Sequence, residues 1–144
     1  MSDDGNATGR CLCGAVKIKL TGDHTEVGIC HCGMCRRWGS GPNMAMDVGK
    51  DIEIEGKESV TAYRSSKWAE RAFCKNCGSN LYYRVVETDD YIICAGIIDE
   101  PSDLVLKRQI FIDDKPAFYD FANDTENMTG AEMFAMYAPS PETE

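Results

Sequence analysis

Cys30-His31-Cys32-Gly33-Met34-Cys35 packs three cysteines into six residues, and the reading of that stretch decides the fold. Cys-x-Cys and Cys-x-x-Cys spacings are too tight for ordinary disulfides, yet they bring neighbouring sulfurs onto one metal ion. Working outward, Gly9-Arg10-Cys11-Leu12-Cys13-Gly14 repeats the first spacing and Phe73-Cys74-Lys75-Asn76-Cys77-Gly78 the second. Seven of the eight cysteines therefore fall in three clusters. The eighth, Cys94, sits between Ile93 and Ala95 and reads as a small core residue. Two tetrahedral zinc sites built only from thiolates need eight ligands, so seven divide into a closed site and one with an open position. Closed sites hold folds together, and open ones do chemistry.

Length and composition set the frame. A chain of 144 residues fits one domain with a real core. Met1 to Asn6 is polar and acidic, with no charged stretch leading into an apolar run, so no signal peptide and a cytoplasmic location are expected. The longest apolar run, Ile92 to Ile98, is far too short to span a membrane. In a reducing compartment, clustered cysteines point to metal rather than disulfides. The formal charge of −9 grows more negative once thiolates are set against two Zn²⁺, which excludes nucleic acid and anionic lipid as expected partners. The expected organisation is a flexible N-terminus over 1–8, one zinc-binding domain over 9–137 and a flexible acidic tail over 138–144.

Between the clusters the pattern is that of strands. Val16, Ile18 and Leu20 alternate within Gly14 to Leu20, Thr21-Gly22-Asp23 reads as a turn, and Glu26 to Cys30 as the returning strand. Asp51 to Glu55, Val60 to Arg64 and Arg71 to Cys74 follow as short strands. Leu81 to Val86 and Tyr91 to Gly96 are the most apolar, joined at Thr88-Asp89-Asp90, and Gln109 to Ile112 closes the series. Helical signals are confined to Cys32–Trp38 and Thr129–Tyr137, where Met133, Phe134 and Met136 read as packing residues. The prediction is a mainly β fold of packed antiparallel sheets, stapled by metal, with few short helices.

The most economical grouping joins Cys11, Cys13, Cys74 and Cys77 in a structural site and leaves Cys30, Cys32 and Cys35 as a three-thiolate site. Spacing also permits Cys11, Cys13, Cys30 and Cys32 together. A zinc ion with three thiolates is still electrophilic, and Arg36 and Arg37, next to Cys35, can pair with carboxylates or remain solvated. His31 lies between two ligand positions, where an adjacent side chain points away from the metal. His24 reads as an exposed turn residue.

Three segments, Gly9 to Val16, Cys30 to Trp38 and Phe73 to Leu81, together with the late segment Ile110 to Phe121, resemble the glutathione-dependent formaldehyde-activating enzymes, the CENP-V/GFA family. The resemblance implies an Mss4-like fold with two zinc ions per chain: Cys11, Cys13, Cys74 and Cys77 at a structural site, and Cys30, Cys32 and Cys35 at a catalytic one. It further implies a carbon–sulfur lyase handling a thiol–aldehyde adduct such as S-hydroxymethylglutathione, with a small-molecule thiol, glutathione, as partner. Two alternatives stand beside it. One is a related lyase acting on another small electrophile or thiol. The other is a non-catalytic zinc-stapled binding module, its second site closed by a protein ligand such as His31 or Cys94. Neither the natural substrate nor the oligomeric state is written in the sequence.

Overall fold

The computed structural model describes residues 6–137, so the expected tail at 138–144 and most of the expected flexible stretch at 1–8 lie outside the described residues. In chain order these form β1 (Thr8–Arg10), β2 (Lys17–Leu20), β3 (Glu26–Cys30), α1 (Gly33–Gly39), β4 (Asn43–Gly49) and β5 (Ile52–Glu55). There follow β6 (Val60–Arg64), β7 (Ala69–Cys74), β8 (Asn80–Val85), β9 (Asp90–Cys94), β10 (Val105–Ile110), β11 (Glu126–Met128) and α2 (Gly130–Tyr137). The chain is mainly β, with two short helices. Contacts group it into two compact units. One holds the described part of Met1–Glu26 with Ala45–Val105, and the other holds Val27–Met44 with the described part of Leu106–Glu144.

The first unit contains two antiparallel arrays, β1-β2-β5 and β4-β9-β8-β7-β6. In β2, Ile18 and Leu20 are buried while Lys17 and Lys19 face water, the alternation expected of a strand with one covered face. Leu81, Tyr82 and Ile93 form the buried centre of the larger array, and Tyr82 meets Tyr91 edge-on at 4.9 Å between ring centroids. β7 buries Ala69, Ala72 and Cys74, and it ends at the second cysteine pair.

The predicted hairpin across Thr21-Gly22-Asp23 does not form. β2 pairs with β1 and β5, because Thr21 donates its N–H to the Asp51 carbonyl at 3.0 Å and so ties the strand end to the start of β5. β3 belongs to the second unit, beside β10. β4, absent from the sequence reading, buries Met46 and Val48 on one face.

In the second unit the order is β11-β10-β3. β10 and β11 run parallel, with Arg108 opposite Glu126 and Ile110 opposite Met128, one parallel pair added to the antiparallel arrays expected from the sequence. The predicted strand through Ile112 stops at Ile110, since Phe111 takes a left-handed conformation (φ 55°) and Ile112–Asp114 continues as a 3₁₀ turn. α2 opens with a reciprocal cap: Thr129 Oγ1 accepts from the Glu132 N–H at 3.1 Å and Glu132 Oε1 accepts from the Thr129 N–H at 2.8 Å. Phe134 and Met136, expected in the packing, are mostly exposed, although Phe134 meets Phe111 edge-on at 5.6 Å.

Candidate metal centres and an adjoining cleft

Cys11, Cys13, Cys74 and Cys77 converge within the first unit, their sulfurs all within 4.8 Å of one another. Two turns create this. Gly14, at φ 83°, closes the first, with its N–H on the Cys11 carbonyl at 3.2 Å and the Val16 N–H on Cys11 Sγ at 3.4 Å. Cys11 and Cys13 thus lie in a tight turn and not on one face of an extended strand. Gly78, at φ 80°, closes the second, its N–H on the Cys74 carbonyl at 2.8 Å. Both glycines occupy the left-handed region that side chains with a Cβ avoid.

The sulfur separations test the fit to a metal. Cys11 Sγ lies 3.7 Å from Cys13 Sγ, and Cys13 Sγ lies 3.8 Å from Cys74 Sγ. A metal–sulfur bond of about 2.3 Å in a tetrahedron requires an edge of about 3.8 Å. A disulfide would require about 2.0 Å. The donor set therefore suits a tetrahedral thiophilic cation. Ser79 joins the two turns: its Oγ accepts from the Leu12 N–H at 3.0 Å and lies 3.3 Å from Cys77 Sγ. The Ser79 hydroxyl, followed by the backbone N–H groups of Ser79 and Cys13, holds the Cys77 thiol down at about 5.

Cys30, Cys32 and Cys35 converge in the second unit, again within 4.8 Å, and no fourth His, Cys, Asp or Glu donor joins them among the described residues. β3 delivers Cys30 and α1 delivers Cys35. Cys32 caps that helix, accepting from the Cys35 N–H at 3.4 Å. The Cys30 and Cys35 thiols, then the Cys35 and Met34 N–H groups, lower Cys32 to about 2, and the same sulfur contacts push Cys30 far up. The cluster thus presents three soft donors that a divalent cation can take by displacing their protons. Three donors would leave a tetrahedral ion one position short.

His31 does not join either cluster. It is 2% exposed, with Nε2 2.8 Å from Gln109 Oε1 and Nδ1 3.2 Å from the Tyr119 hydroxyl. Gln109, in turn, donates through Nε2 to Thr125 Oγ1 at 3.0 Å. Cys94 is partly buried at the end of β9, outside both clusters, and His24 pairs with Asp51 at 3.0 Å. A cleft of about 280 Å³ opens beside the far end of α1, lined by Arg36, Arg37, Ser40 and, from the segment after β10, Pro116, Phe118 and Tyr119. Sequence reasoning singled out the two arginines and missed Tyr119, Gln109 and Ser79.

This arrangement sits in a chain with clear relatives. The profile of the family described as glutathione-dependent formaldehyde-activating enzyme matches residues 6–114, and the chain belongs to that family. An uncharacterized lyase of Schizosaccharomyces pombe is 39% identical over 126 residues, which cover 87% of this chain and 92% of that protein. A Halomonas elongata protein, provisionally named as a glutathione-dependent formaldehyde-activating enzyme, is 29% identical over 83 residues, 51% of this chain and 53% of its own length. The crystal structure of a Rhodobacter sphaeroides protein superimposes with a TM-score of 0.53 at 28% identity, covering 64% of this chain and 87% of that one. No helix among the described residues is long and apolar enough to cross a membrane.

Proposed function

We propose that this chain is a zinc-dependent carbon–sulfur lyase that makes and breaks a thiol–aldehyde adduct of the S-hydroxymethylglutathione type. The observation that carries the reading is the three-sulfur cluster of Cys30, Cys32 and Cys35, one donor short of a closed site, in a member of this family. The lyase name of the Schizosaccharomyces pombe relative supports the same class.

In this reading Cys11, Cys13, Cys74 and Cys77 hold a structural zinc, and Cys30, Cys32 and Cys35 hold a catalytic one. Zinc at the latter supplies a Lewis-acidic position and depresses the pKa of a thiol that reaches it. The chain's own groups do the remainder. The Cys35 N–H steadies the Cys32 sulfur, α1 fixes the spacing of Cys32 and Cys35, and the arginine-lined cleft receives the body of the thiol. In the forward direction the thiol sulfur bonds to the aldehyde carbon. The carbonyl π pair moves to oxygen, which gains the proton that the thiol lost. The lyase direction reverses each transfer.

The test is exchange between glutathione, formaldehyde and the adduct, followed by NMR with zinc-loaded protein and with the spontaneous rate subtracted. Acceleration is expected, with its loss in Cys35→Ser at unchanged circular dichroism, whereas Cys74→Ser lowers Tm and metal content together. No acceleration over the spontaneous rate refutes the reading, and the opposite pattern of the two variants refutes the division of ligands.

A further inference from the structure

His31, Gln109 and Tyr119 are absorbed by none of the chemistry above, yet they form a buried relay that ends in the cleft. His31 is 2% and Gln109 5% exposed. The relay has a direction. Thr125 Oγ1 donates to Asn127 Oδ1 at 2.7 Å, so it accepts from Gln109 Nε2 at 3.0 Å. That turns Gln109 Oε1, which can only accept, toward His31 at 2.8 Å and puts the imidazole proton on Nε2. His31 Nδ1 is then an acceptor, and the Tyr119 hydroxyl, 3.2 Å away, donates to it. Tyr119 spends its single proton inward. Its oxygen keeps lone-pair capacity to accept, and Tyr119 is one of the residues that line the cleft.

Tyr119 is also fixed from the other side. Lys115 Nζ donates to the Tyr119 carbonyl, pairs with Asp120 at 2.8 Å and stands 4.8 Å from the centre of the Tyr119 ring. The phenol is thus held at both ends before any ligand arrives, the preorganisation that a recognition group needs. Arg36 and Arg37 line the same cleft, and among the described residues no carboxylate does. In a chain of charge −9 this is a local site for an anion. Arg36 is half-buried, on the same helix as Cys35. The five steps of α1 from Cys35 to its cap at Ser40 rise about 7.5 Å. A ligand whose sulfur is at the cysteine cluster therefore reaches the cleft with groups several bonds from that sulfur.

We propose that the cleft is the specificity site for a peptide-like thiol: the Tyr119 oxygen accepts a hydrogen bond from a ligand N–H, Arg36 pairs with a ligand carboxylate, and His31 positions Tyr119. This rests on the thiol-handling reading above and adds to it the residues that would select such a thiol by its N–H and its carboxylate.

Binding to the zinc-loaded protein is measured calorimetrically for three thiols. Glutathione carries both groups, 6-mercaptohexanoate a carboxylate without an N–H, and 2-mercaptoethanol neither. Tyr119→Phe is expected to weaken glutathione about threefold to tenfold and leave 6-mercaptohexanoate unchanged. Arg36→Gln weakens both by about tenfold and leaves 2-mercaptoethanol unchanged. His31→Gln reproduces the Tyr119→Phe pattern and adds nothing to it in the double variant, the signature of action through Tyr119. Should His31→Gln fail to fold, Tyr119→Phe alone decides. Equal effects of Tyr119→Phe on glutathione and 6-mercaptohexanoate, or no effect on either, overturn the assignment while leaving the lyase reading intact. If the unmodified protein binds none of the three thiols, the thiol-handling reading falls, and this assignment with it.

Discussion

Ser79 is a small residue with a large part in the four-sulfur cluster. Its hydroxyl oxygen takes the Leu12 N–H, and its proton is available to Cys77 Sγ, so one side chain fixes two turns against each other. Groups of this kind, one bond removed from a metal ligand, typically govern affinity by ten- to a hundredfold. Ser79→Ala should lower metal affinity by about tenfold or more, measured by competition with a chromophoric chelator, while circular dichroism of the loaded protein stays unchanged. An unaltered affinity would remove Ser79 from the site. The seven clustered cysteines were legible because ligand spacing is a local property of the chain. Ser79 was not, since its partner Leu12 is 67 residues away. Nor was Gln109, 78 residues from His31. A polar residue in a strand pattern carries no mark of the partner that justifies burying it.

Among the elements, β8 carries a phenol, Tyr82, that couples stability to alkaline pH. Burial, followed by repulsion from Tyr91, pushes the Tyr82 phenol up to about 12. The folded state thus keeps Tyr82 protonated where the unfolded chain, at an ordinary 10, has ionised. This contribution to stability is complete below pH 10 and is lost as pH climbs to about 12. Denaturant midpoints across that window should fall for the unmodified protein and fall less steeply for Tyr82→Phe. Identical slopes would exclude Tyr82 as the titrating group. β8 and β9 were legible from their apolar runs, and β5 and β6 from alternation and β-formers. β4 was missed because Met44, Ala45 and Met46 are weak strand formers placed just after Pro42, even though Met46 and Val48 share a buried face. Strand pairing was the harder matter. The turn at Thr21-Gly22-Asp23 looks like a hairpin, but the partner of β2 is chosen by the Thr21–Asp51 bond, and short-range pattern contains no information about that.

At the scale of the whole chain, each cysteine cluster is assembled entirely within one of the two units. Native mass spectrometry should therefore find two divalent ions per chain, and a single substitution at Cys13 or at Cys32 should leave one. Loss of both ions from either variant would mean that the clusters are coupled. Removal of metal by a chelator should lower Tm, since thiolate–metal bonds contribute directly to folding free energy. The two clusters differ sharply in how far apart their ligands lie along the chain. Cys30, Cys32 and Cys35 are complete within six residues. Cys13 and Cys74 stand 61 apart. During synthesis at about 5–20 residues per second, that gap amounts to roughly 3–12 s in which the first cysteine pair waits, exposed and reducing, for its counterpart. The nascent chain can capture a cation at the local cluster while the distant one is still half-made, so supply of metal and protection of thiols matter most in that interval.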